Sequence, residues 1–144
     1  YGDDLQKVDI YPTKVPAAST DIPSPVREVY LEAQKCHAVE AWNATAAMCR
    51  RAVQGAVLKL QGEGSTLYAQ IEDLAKKNII VDDLRAWAHT IRGIGRDGAH
   101  ADVPINVTEG DADDALKFTE EFLEYNFILK TRLAKRKPAL ASAP

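Results

Sequence analysis

A chain of 144 residues, 46% hydrophobic and 27% charged, holds enough apolar material for one buried core, and a second independent core is not expected. Its formal net charge of -3 excludes a whole-domain attraction to phosphate backbones, so any weak nucleic-acid contact has to come from a local basic patch. No uninterrupted apolar run approaches the roughly 18 residues of a membrane span, and no charged start leads into an apolar signal region, so the expectation is a cytoplasmic protein with no membrane contact.

Residues 1–23 carry Pro12, Pro16 and Pro23 among scattered polar side chains. Neither a helix nor a central strand propagates through such a stretch, which is expected as an extended arm or linker. The chain opens at Tyr1 rather than a methionine, consistent with a fragment or processed form and with an upstream domain. Ser24-Pro25 then reads as an N-cap followed by proline at the first helical position, with Glu28 placed to complete the cap. Val26, Val29, Tyr30 and Ala33 give this first helix one apolar side.

From Val39 the apolar positions Val39, Trp42, Ala46, Cys49, Val53, Ala56 and Leu60 advance by steps of three and four, the mark of a long helix buried along one seam. Gly62 and Gly64 are expected to end it. A third helix starts at Ser65 or Thr66, carries Leu67, Ile71 and Leu74, and stops around Asn78, leaving Ile79, Ile80 and Val81 as a buried connection. Asp82 is placed to cap a fourth helix with Leu84, Trp87, Ile91 and Ile94 on its seam, ending near Gly98.

Beyond a loop through Pro104, Thr108 opens the last long helix, with Ala115, Phe118, Phe122, Tyr125, Leu129 and Leu133 on a common face. Lys130, Arg132, Lys135, Arg136 and Lys137 suit the negative pole of its dipole, and residues 138–144 read as a flexible tail. There is no internal repeat. About five helices with short connections predict an all-α bundle over residues 24–137.

Cys36 and Cys49 fall in alanine-rich helical runs and read as small buried thiols, not as a disulfide. His37, His89 and His100 show no paired ligand spacing with them, so no metal and no cofactor is expected. Trp42 and Trp87 lie on apolar seams and read as core anchors. One of Arg50 and Arg51 must lie near the seam at Cys49 and Val53, where a buried arginine needs a carboxylate. Glu120, Glu121 and Asp73 are the candidates, with phosphate binding by the pair as the alternative.

The most unusual segment is Ile91-Arg92-Gly93-Ile94-Gly95-Arg96-Asp97-Gly98-Ala99-His100, which places three glycines near the end of a well-patterned helix and so predicts a close approach to its backbone. On a continuing helix Arg92, Arg96 and His100 recur every four residues and form a cationic strip. With Gly95 and Gly98 beside it, that strip is a candidate phosphate or ligand site.

Together with Ile10-Tyr11-Pro12, Tyr30-Leu31-Glu32-Ala33 and Met48-Cys49-Arg50-Arg51-Ala52-Val53, this segment resembles the bacterial domain of unknown function numbered 4145, itself similar to the HEPN helical domains. The resemblance covers nearly the whole chain. It implies a helical bundle, frequent linkage to restriction enzymes or other anti-phage proteins, and often an upstream zinc ribbon. HEPN ribonucleases carry an arginine, four to six intervening residues and a histidine. With His100 as that histidine, the arginine position falls on Gly95 and the polar position after it on Arg96, a departure from the catalytic pattern, and Gln54 stands where a glutamate is frequent.

The expected function is therefore a non-catalytic HEPN-like interaction module, a homodimer or a docking domain of a bacterial defence or restriction-type system. The alternative is a metal-independent ribonuclease, with His100 as a base of near-neutral pKa and Arg92 or Arg96 stabilising the charge on a cleaved phosphodiester.

Overall fold

Three successive helices stop in the same way, and that repeated stop sets the turns of the bundle. The computed structural model describes residues 16–99 and 106–141, with side chains through residue 94 and again from 106 to 136. Helix α1 spans Ser24–Ala38, α2 Trp42–Lys59 and α3 Leu67–Lys76. Just past them Glu40, Gln61 and Asn78 take left-handed φ angles of 61°, 66° and 59°. Each donates its N–H to the carbonyl three residues back, at 3.0 Å in all three cases. The following residue donates five back, from Ala41 to Cys36 at 2.9 Å, Gly62 to Val57 at 3.0 Å and Ile79 to Leu74 at 2.9 Å. This is the Schellman closure, which satisfies carbonyls that a helix end leaves open.

Two expectations change here. The left-handed residue ending α2 is Gln61, not a glycine, and Val39 lies beyond α1 at 67% exposure instead of starting the α2 seam. Gly62 is required for space, since a Cβ there would lie 2.8 Å from Val57 Cγ1 and 2.9 Å from the Gln70 carbonyl oxygen.

The helix starts differ from one another. Thr66 caps α3 by accepting from the Ala69 N–H at 3.1 Å. Helix α4, Asp82–Ala99, takes Asp82 as its first residue instead of its cap, because the Arg85 N–H already bonds to the Val81 carbonyl at 2.9 Å. Ser24 is likewise inside α1, and no side chain caps that helix. The segment before it takes over the task of fixing the entry. Ile22 is buried, Arg27 Nη1 donates to the Ile22 carbonyl at 3.3 Å, and Gln34 exchanges hydrogen bonds with the backbone of Ala17 at 2.7 and 3.0 Å. The end of the proline-containing stretch is therefore laid along α1.

Helix α2 is the central element, packed against α1, α3, α4 and α5, the last being Glu109–Leu123. Its buried positions are mostly small: Thr45, Ala46, Cys49, Ala52, Val53, Ala56 and Val57. Small side chains let neighbouring axes approach closely, and Thr45 satisfies its hydroxyl locally on the Ala41 carbonyl at 2.8 Å. Cys49 is fully buried, and burial pushes its thiol up to about 11; Cys36 is half-buried and both thiols are free. His37 pairs with Asp113, tying the end of α1 to α5. Trp42 and Trp87 are half-buried, Trp42 edge-on to His37 at 5.2 Å and Trp87 stacked on Phe118 at 5.9 Å.

Helix α5 opens with a complete capping box, in which the Thr108 hydroxyl accepts from the Asp111 N–H and the Asp111 carboxylate from the Thr108 N–H, both at 3.1 Å. It runs without a break into a π-helical segment, Glu124–Leu129, and then α6, Lys130–Ala141. The wider π turn resets the phase of the rod. Buried positions run Ala112, Ala115, Thr119, Phe122, Leu123 and Asn126, whereas Leu129 and Leu133, expected on the seam, are 40% and 54% exposed. Lys130 turns inward instead, donating to the Ile79 carbonyl at 3.0 Å, and burial lowers its pKa. The helical backbone also passes Pro138, near the C-terminal end, where proline forgoes one hydrogen bond.

The result is an all-α bundle of five helical rods, with no strand among the described residues. Among those residues no helix is long and apolar enough to cross a membrane.

Candidate functional site

Two surfaces carry unusual chemistry, and α4 contributes to both. On one side, Arg85, His89 and Arg92 recur at intervals of four and three residues, so they share a face of α4. Opposite them on α3 stand Tyr68 and Glu72, four residues apart. Glu72 accepts from Arg85 Nη1 at 3.2 Å and pairs with His89 Nε2 at 2.8 Å. These bonds, that to His89 foremost, hold the Glu72 carboxyl below its ordinary range. Tyr68, half exposed, stacks on the His89 ring at 4.8 Å. The Arg92 guanidinium lies 5.2 Å from the centre of the Tyr68 ring, within cation–π range.

Three nitrogens in this cluster make no hydrogen bond. Arg92 Nε is enclosed, so is His89 Nδ1, and so is Arg85 Nε, which lies 3.8 Å from Asp82 Oδ1. The second point limits the chemistry: one ring nitrogen of His89 is spent on Glu72 and the other faces the interior. This histidine is therefore held as a structural link and is not presented as a base toward a substrate. Among the described residues no group of three or more His, Cys, Asp or Glu comes together as a metal cluster.

Of the candidate strip, Arg92 is the member whose side chain is described. The α4 backbone remains helical through Ala99, so positions 92 and 96 stand four residues apart on one helix. Gly95, Arg96 and Gly98 are described by their helical backbone alone, and His100 lies outside the described residues. The expected close approach to the glycine-rich backbone is absent at Gly93, where an added Cβ would meet nothing within 4 Å. Gly93→Ala is therefore expected to raise stability by about 1 kcal/mol through helix propensity alone, read as a higher urea midpoint.

The arginine pair on α2 also departs from expectation. Arg51 is exposed and Arg50 is half-buried with its Nε enclosed, yet neither forms an ion pair among the described residues. Two of the three candidate acids are engaged elsewhere. Asp73 takes Lys77 at 2.8 Å and the Glu63 N–H at 2.9 Å, and Glu120 bonds to the Tyr30 phenol, which burial together with that carboxylate raises far above its usual range.

The second surface is a groove of about 380 Å³ between α4 and the π segment, floored by Leu84, Trp87, Tyr125 and Ile128 and edged by Val81 and Leu129. Asp83, Glu121, Glu124 and Arg132 are the charged residues that line it. The π turn makes this groove, because it rolls Leu129 away from the core and toward solvent.

The family model for Domain of unknown function (DUF4145) matches residues 31–138. The chain belongs to this family. The DUF4145 match takes in most of α1, all of α2 to α5, the π segment, and both surfaces just described. No curated protein and no solved structure matches the chain.

The sequence of this DUF4145 domain marks none of Tyr68, Glu72 and Arg85 as a site residue, and His89 enters its reading only as a histidine with no paired ligand spacing. The spacing of Arg85, His89 and Arg92 is a readable signal of a polar stripe; the placement of Tyr68 and Glu72 against it is a tertiary fact that periodicity along one helix does not carry.

Proposed function

We propose that this DUF4145 chain is a non-catalytic, HEPN-like interaction module that pairs with a second copy of itself, and that it serves a cytoplasmic bacterial restriction-type or anti-phage system as a dimerisation domain. The groove beside the π segment supports this reading. Three of the large exposed hydrophobics, Val81 at 49%, Leu129 at 40% and Leu133 at 54%, lie on or next to it. Exposed apolar surface gathered around a groove and rimmed by charges is the usual form of a protein contact.

Charge makes a second copy the fitting occupant. Asp83, Glu121 and Glu124 line the groove together with Arg132, while Lys135 and Arg136 continue the basic side along α6. Carrying both signs of charge, this surface suits an isologous contact, in which a two-fold axis sets acids of one copy against Arg132, Lys135 and Arg136 of the other. The defence setting rests on the family resemblance and on the linkage it implies.

Sedimentation velocity tests the pairing. A dimer is expected for the natural chain, and Leu129→Asp is expected to give a monomer with an unchanged helical circular dichroism spectrum. A natural chain that sediments as a monomer overturns the reading. Cleavage of single-stranded RNA in chelator, lost in His100→Ala, replaces it with the ribonuclease alternative.

A further inference from the structure

We propose that the crevice between α1 and α2 is a second docking groove, separate from the pairing groove, and that it takes an acidic amphipathic helix of a partner protein.

The groove holds about 500 Å³ and has two dissimilar walls. The α1 wall is uncharged, with Pro25, Val26 and Val29 lining it. On α2, Arg51, Gly55 and Lys59 recur every four residues, so they share one side of that helix. Gly55 leaves a gap between the two cations. An added Cβ there would lie 3.2 Å from Val26 Cγ2, so the missing side chain lets α1 lie close at this point. Leu58 lines the groove as well and is 55% exposed.

Charge selects the occupant. Arg51 and Lys59 are the charged residues that line the groove, and both are exposed. Neither forms an ion pair among the described residues. Nearby acids do not compensate them. Helix α2 contains none, Asp21, Glu28 and Glu32 are exposed and lie outside the lining, and Glu63, beyond the end of α2, pairs with Lys77 at 3.5 Å. On a chain whose net charge is -3, an apolar crevice carrying two unpaired cations about 12 Å apart along one helix is complementary to an acidic partner.

Shape selects a helix. The crevice runs between two packed helices, and a third laid along it covers Leu58 and sets its own apolar ridge into the gap at Gly55. Carboxylates about seven or eight residues apart on that helix reach Arg51 and Lys59 together. A nucleic-acid strand is the weaker match, since the lining offers no aromatic ring on which a base could stack.

Fluorescence anisotropy on the full chain tests the proposal. The probes are a labelled helical peptide of about 20 residues, with leucines in one stripe flanked by glutamates, and its copy with lysine in place of each glutamate. The glutamate peptide is expected to bind and the lysine peptide not to. Leu58→Asp is expected to weaken binding by about tenfold or more, as the loss of a central apolar contact does. Arg51→Glu combined with Lys59→Glu is expected to reverse the preference, so that the lysine peptide binds instead, an effect that misfolding does not mimic. Lys76→Glu, the same change of charge at an exposed position of α3, is expected to leave binding unchanged. No binding of the glutamate peptide, equal binding of both peptides, or binding that the double reversal leaves intact overturns the proposal. So does a single-stranded RNA that displaces the peptide, and so does a natural dimer that Leu58→Asp dissociates, which assigns the groove to a second copy. A monomeric chain that binds the glutamate peptide sinks only the pairing proposal, and a dimer that does not bind it sinks only this one.

Discussion

Gly62→Ala is expected to lower the stability of the fold by about 2–3 kcal/mol, the cost of overpacking a site that has no room to relax. The added methyl would stand 2.8 Å from Val57 Cγ1, 2.9 Å from the Gln70 carbonyl oxygen and 3.2 Å from Leu74 Cγ. Val57 and Leu74 are fully buried, and the Gln70 oxygen belongs to the backbone of α3, so no flexible side-chain end can swing aside. Relief has to come from opening the turn, which breaks the Gly62 N–H bond to the Val57 carbonyl at 3.0 Å and exposes that carbonyl.

Urea unfolding with an unchanged slope reads the loss directly. Two other glycines serve as internal standards. At Gly55 the nearest atom is a side-chain methyl, Val26 Cγ2 at 3.2 Å, and Gly93 has open space, so the order of stability expected for the alanine variants is 93 above 55 above 62. A Gly62→Ala midpoint within about 0.5 kcal/mol of the natural chain, inside the range of ordinary surface changes, means that α2 and α3 do not meet as closely as described.

The same turn illustrates what the sequence carries and what it withholds. Apolar spacing alone places α2, α3 and α4 within a few residues, because Ala46, Cys49, Val53, Ala56, Ile71, Leu74, Leu84 and Ile91 are core positions on regular helices. Thr66 and Thr108 are legible as starts, since a hydroxyl before an apolar run meets an open backbone N–H. The helix ends are less legible. Glu40, Gln61 and Asn78 are not glycines, and what holds them left-handed is the pair of hydrogen bonds behind each one, a property of the closed turn and not of the residue type.

The π segment is the larger departure, and it is invisible to any reading that assumes a constant period. Counting by threes and fours from Phe122 leads to Tyr125, Leu129 and Leu133, whereas the chain buries Asn126 and turns Lys130 inward. That phase change creates the exposed apolar groove on which the pairing proposal rests. For the candidate site, Arg92 is legible as an unusual cation next to a glycine-rich stretch, but its partner ring, Tyr68, comes from α3. Glu72 and His89 each look like ordinary surface residues until the two helices are brought together.

Asn126→Asp is expected to cost about 3 kcal/mol or more at neutral pH, although the two side chains have nearly the same shape. Asn126 is 3% exposed, donates from Nδ2 to the Phe122 carbonyl at 2.9 Å, and keeps Oδ1 enclosed with no partner. An ionised carboxyl there would direct negative charge at that carbonyl and find no donor, so the folded state holds the proton and the pKa of the introduced group rises above its unfolded value of about 3.9. The penalty is thus nearly absent below pH 4 or so, where both states are protonated and the hydrogen bond to Phe122 is restored. It then grows by about 1.4 kcal/mol per pH unit until the folded pKa is reached. The natural chain trends the other way, since the Glu72 and Asp73 carboxyls are held below their ordinary values of 4.5 and 3.8 and lose stability as acid protonates them. The difference between variant and natural chain at each pH, taken from urea midpoints, isolates the buried position. A small and pH-independent difference means that the π segment opens to water on its inner face, and in that case the phase reset cannot hold the groove in the shape that pairing requires.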